Sequence, residues 1–141
     1  MAVTFPEQFG KLCKATGKAT GDICDQEKTL LGWDHAKMGA FYLWNHHIAP
    51  EIVQDTQYHN NPEDAPEHSK LAGAVQLADH LVRSGGIHGI EKVDPLRPAD
   101  WPKLSGWEIL FGEDETISEE VRLEELKETL ERITSSLKGI I

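Results

Sequence analysis

The stretch SEEVRLEELKETLERITSSLKG (118–139) constrains the fold most. Leu123, Leu126, Leu130, Ile133 and Leu137 recur at helical spacing with Glu and Lys between them. That pattern gives a helix one apolar stripe and a charged remainder. Ser118 or Thr116 is placed to cap its start and Gly139 to end it. The stripe must be buried, either on the rest of the chain or on a second copy. A heptad-like run this short favours core packing, with a dimer seam as the alternative.

The rest of the chain also reads as helical. Pro6 opens a segment over 5–18 that places Phe5, Phe9, Leu12 and Cys13 near one face. Asp22 can cap a helix over 22–31 that Gly32 stops, and Asp34 can cap the next, over 35–46. Met38, Phe41, Tyr42 and Leu43 imply a broad buried face there. Pro50 sits at a helix start, with Ile52, Val53 and Thr56 following on one side. NNPEDAP (60–66) reads as a loop. The next helix, over 67–85, carries Leu71, Ala74, Val75, Ala78, Leu81 and Val82 at helical spacing and ends at Gly85-Gly86. Residues 86–103 hold three prolines without periodicity and are expected to form a loop connection, followed by a short helix around SGWEILFG. No strand alternation and no internal repeat is present. The expectation is an all-α, compact helical bundle of about six helices. Residues 1–86 would form one helical region, and 87–141 a Pro-rich connection with C-terminal helices packing on the same domain.

At 141 residues the chain suits one domain with a core of its own. A formal net charge of -10 repels phosphate backbones and argues against nucleic acid as a partner. No window approaches ~18 continuous apolar residues, so no membrane span is expected. The N-terminus carries no signal-peptide pattern. Cys13 and Cys24 lack metal-binding spacing and read as free thiols, which favours the cytoplasm.

Seven histidines raise the question of a metal. Imidazole and carboxylate together suit divalent transition metals. The candidates are His35, His46, His47, His59, His68, His80 and Asp79, but none forms HxxxH or HExxH. His46 and His47 are adjacent and diverge, His68 lies in a polar loop and His88 between glycines, so these four read as surface residues. His35, His59 and Asp79 belong to three separate helices, which is how bundles assemble metal sites. Asp79 also interrupts the apolar run GAVQLADHLV and needs a partner: a metal, a histidine or a backbone N–H. On spacing alone, ordinary polar packing is preferred to a metal.

The order Glu27, Gly32, Asp34-His35-Ala36, Gly39-Ala40, Trp44, Pro50, then His59-Asn60 with Pro62, then Leu77-Ala78-Asp79, resembles the second half of an HDOD domain, the HD-related output domain of bacterial signalling proteins. The resemblance covers residues 5–84. It implies a helical HD-like fold and places His35, His59 and Asp79 where the wider HD superfamily of phosphohydrolases keeps its later metal ligands. That superfamily also needs an early His and a His-Asp dipeptide. This chain has no His-Asp dipeptide and no histidine in residues 1–26, and Asn60 stands where a second His is usual.

The resemblance therefore implies a non-catalytic signal-transduction or regulatory module acting through protein contacts, with another protein or a second copy as partner. No catalytic residue, no cofactor and no bound metal is expected. Glu27, His35, His59 and Asp79 would form a relic polar cluster. Gly39 and Ala40 would allow close helix approach, with Trp44 filling the gap beside them. Two alternatives stay open. One is a metal-dependent HD-type phosphohydrolase, using a divalent transition metal and completed by Glu27 or a second chain. The other is a small-ligand sensor with the polar cluster at the bottom of a pocket.

Overall fold

Proline and glycine punctuate this chain, and its helix boundaries follow them. A computed structural model describes residues 6–16, 23–67, 69–87 and 96–137. Its α-helices are α1 (Pro6–Thr16), α2 (Ile23–Leu31), α3 (His35–Asn45), α4 (Pro50–Tyr58), α5 (Ser69–Ser84), α6 (Ser105–Phe111) and α7 (Glu119–Leu137). Two 3-10 segments, Pro62–Asp64 and Pro98–Lys103, complete it. The protein is all-α, with no strand among the described residues. Among the described residues seven α-helices stand where about six were expected, and both segments read as loops carry 3-10 turns. The Asp22 and Gly139 caps, Phe5, His68 and His88 lie outside the described residues, as do the side chains of Phe9 and Cys13.

Local chemistry explains the boundaries. Gly32 takes φ +80°, a left-handed conformation that a Cβ disfavours, and so terminates α2. Asp34 then caps α3, its Oδ1 accepting the Lys37 N–H at 2.8 Å. Pro50 occupies the first turn of α4. Gly86, at φ +79°, follows the end of α5. The Ser118 Oγ accepts the Val121 N–H at 3.4 Å at the start of α7.

The core centres on Leu77, Trp101 and Trp107, with Leu81, Leu104 and Phe111 against it. Trp101 is 0% exposed, although it lies in the segment that reads as a loop. The α7 stripe packs on this centre through Leu123, Leu126 and Leu130. Full burial of one such leucine stabilises by about 1.5–3 kcal/mol, so three partly buried ones contribute several.

Helices α5 and α6 cross where Gly73 meets Gly106: a Cβ built on Gly73 would stand 3.1 Å from the Gly106 Cα. This close approach sets which face of α5 turns inward. Ala72, Gly73, Gln76 and Leu77 are buried, whereas Leu71 and Val75, expected on the apolar stripe, are exposed.

The same correction applies to α3. Its inward side is small, with Ala36 and Ala40 buried and Gly39 close enough to α4 that a Cβ would meet Thr56 Cγ2 at 3.0 Å. With the backbones so near, bulky residues have room only on the outer face. Phe41 and Tyr42, expected to be buried, are exposed, and Trp44, expected to fill a gap, is 63% exposed. On α4, Val53 is buried and Ile52 faces out.

Candidate functional site

The reversal between α2 and α3 builds a buried polar cluster. Because Gly32 turns the chain and Asp34 caps the next helix, His35 is the first residue of α3. Its backbone N–H belongs to the group that lacks intrahelical partners. Glu27, on α2, satisfies it: one carboxylate oxygen accepts the His35 N–H at 2.8 Å and the ring Nδ1–H at 2.6 Å. Cys24 lies one turn earlier on the same face of α2. Cys24 and Glu27 are 4% and 3% exposed.

His59, just after α4, completes the arrangement. Its Nδ1 faces the Thr56 carbonyl at 2.8 Å. A carbonyl only accepts, so Nδ1 carries a proton and Nε2 is left to meet the His35 Nε2 at 3.3 Å. His35 donates from Nδ1 to Glu27, so a proton between the two Nε2 atoms makes one of the rings an imidazolium, and the Glu27 carboxylate places that charge on His35. Hydrogen bonds to Cys24 and then to Glu27 outweigh burial and push the His35 pKa up to about 10. The ion pair with Glu27 balances that charge.

A second layer connects the cluster to the core. The Asn60 amide donates to Cys24 Sγ at 3.3 Å. Gln76 donates to the Asn60 carbonyl at 2.9 Å, and its Oε1 accepts the Gly106 N–H at 2.8 Å. A single buried amide thus holds the loop after α4 to the crossing of α5 and α6.

Of the four residues expected to cluster, Glu27, His35 and His59 meet. Asp79 pairs with Arg83 one turn along α5, at 2.7 Å. His46 and His47 are exposed, and His80 on α5 is half-buried, with desolvation lowering its pKa. From the sequence, Cys24 reads only as a free thiol and Asn60 only as an amide at a usual His position, and Gln76 has no assigned role. The spacing Cys24-x2-Glu27 was the available signal, since it puts a thiol on the carboxylate's face of the helix.

A groove of about 350 Å³ opens on the outer side of α3 and α4. Trp33, Phe41 and Trp44 line it, with Val53 at its base and Lys37 and Gln57 supplying polar groups. Trp33 and Phe41 meet edge to face, centroids 5.9 Å apart. Trp33 and Phe41 are 49% and 59% exposed.

No family model, curated protein or solved structure matches this chain. Among the described residues no helix is long and apolar enough to cross a membrane.

Proposed function

We propose that this chain is a non-catalytic, HDOD-like signalling module that works through protein contacts, with the aromatic groove of α3 and α4 as its contact surface. The groove is the observation that carries the reading. α7 covers the Leu77–Trp101–Trp107 side of the molecule, while Trp33, Phe41, Tyr42 and Trp44 stay open to solvent. A concentrated apolar patch of this kind marks an interaction surface, and tryptophan is enriched among residues that dominate binding. The polar cluster supports the non-catalytic part. Glu27 is engaged by two donors from His35, and Asn60, an amide at the position of a usual metal-ligating His, bonds to Cys24.

The first occupant to test is a second copy. Sedimentation across a wide concentration range is expected to show mass rising toward a dimer, with a blue shift in tryptophan emission as Trp33 and Trp44 leave water. Trp44→Ser should abolish both. A mass fixed at one chain, with unchanged emission at every concentration, would remove self-contact from the proposal. Hydrolysis of a simple phosphodiester with Mn²⁺, lost in both His35→Ala and His59→Ala, would replace the module by a phosphohydrolase.

A further inference from the structure

We propose that Cys24, Glu27 and His35 form a binding site for a single borderline transition-metal dication of the zinc type, clasping α2 to α3. One donor atom from each residue lies within 4.8 Å of the other two. A tetrahedral zinc with sulfur, nitrogen and oxygen ligands has donor–donor edges of about 3.3–3.6 Å, so small side-chain movements close the cage. The present 2.6 Å contact between Glu27 and His35 would lengthen as metal replaces the proton that joins them.

Three further features favour a cation here. A thiol and a carboxylate are buried side by side against His35, and a metal dication would take over from the His35 imidazolium in offsetting the cost of desolvating their charged forms. Lys28, the neighbouring cation on α2, faces away toward Asp25 and Asp34, at 3.6 Å from each. The Asn60 amide is already aimed at the sulfur, and N–H donors of this kind stabilise a ligating thiolate. Sulfur in the donor set selects zinc, cobalt or copper over magnesium and calcium. Two of the three ligands, Cys24 and Glu27, come from α2 and only His35 from α3, so the set owes nothing to the missing His-Asp dipeptide, and the site is independent of the contact surface on the outer side of α3.

The test uses the whole chain stripped of metal with a chelator and titrated with Co²⁺. Binding of one equivalent is expected, with a thiolate-to-cobalt charge-transfer band in the near ultraviolet. Zn²⁺ should bleach that band and raise the melting temperature. Cys24→Ser should lose the band, and Cys24→Ser and Glu27→Gln should each weaken binding by at least the ~10–100-fold that losing a partner outside the ligand set costs. Circular dichroism checks that each variant is folded. Glu27→Gln keeps the sulfur, and so remains informative should Cys24→Ser fail to fold. His46→Ala, at an exposed site, should change nothing. Absence of the band in the unaltered chain overturns the proposal. So does equal cobalt affinity in folded Cys24→Ser or Glu27→Gln, which would assign binding to Cys13 or the surface histidines.

Discussion

Gly106 shows how much one missing Cβ decides. A Cβ there would lie 2.6 Å from the Gly73 carbonyl oxygen and 2.8 Å from the Gln76 Oε1. Neither neighbour can yield cheaply: one is backbone, and the other is held between Asn60 and Gly106. Gly106→Ala is therefore expected to destabilise the fold by about 1–3 kcal/mol, read as a lower urea midpoint. An unchanged midpoint would mean that α5 and α6 separate without loss. The glycine itself was visible in the sequence, but its role was not, because a close approach between segments thirty residues apart leaves no local pattern. The polar cluster divides in the same way. The resemblance implied Glu27, His35 and His59 together. The Cys24-x2-Glu27 spacing places a thiol on the same helix face, but its meeting with Asn60 has no sequence signal, because it depends on the turn at Gly32 and on how the loop after α4 packs.

Among the elements, α7 was the most legible and the 3-10 segment Pro98–Lys103 the least. A regular leucine stripe states the helix and the first part of its inward face, Leu123, Leu126 and Leu130, while Ile133, expected on the same stripe, is exposed. Trp101 sits between prolines with no periodicity to read, and is buried because α5, α6 and α7 converge on it. What anchors α7 is also non-periodic. Arg122, buried at its first turns, donates to the Asp114 carboxylate at 2.6 Å and to the Asp114 and Ile117 carbonyls at 3.1 and 3.3 Å. Its guanidinium lies 4.5 Å from the Phe111 ring centre. The Thr116 hydroxyl, followed by Arg122, lowers the Asp114 pKa from 3.8 to about 2. A carboxylate depressed on folding contributes stability that is present above its ordinary value and lost as pH falls through the folded one. The clamp should thus weaken between about pH 4 and about pH 2. Asp114→Asn, compared with the unaltered chain by acid titration of helicity, should show a shallower dependence in that window. Identical acid limbs would show that the clamp does not hold α7.

Charge acts on the molecule as a whole. Twenty-four acidic residues against fourteen Lys and Arg leave a net charge of -10. Folding gathers that charge from a coil of about 40 Å radius of gyration into a body of about 14 Å. The compact state therefore carries more self-repulsion, and salt relieves more of it. Local ion pairs oppose this trend. Lys127–Glu124, Lys103–Asp100 and Lys28–Asp25 are i,i+3 pairs at the surface, each weak in water and weakened further by salt. The two effects can be weighed. Going from about 0.01 M to 0.1 M salt shortens the screening length from about 30 Å to about 10 Å, which is below the size of the folded body. Ten uncompensated charges then gain on the order of 1–2 kcal/mol in favour of the folded state, more than the surface pairs lose. Urea unfolding at these two salt concentrations should therefore show higher stability at the higher one. A fall in stability with salt would mean that ion pairs such as Arg122–Asp114 and Glu27–His35 outweigh the repulsion, and that the acidic surface is locally neutralised in the fold.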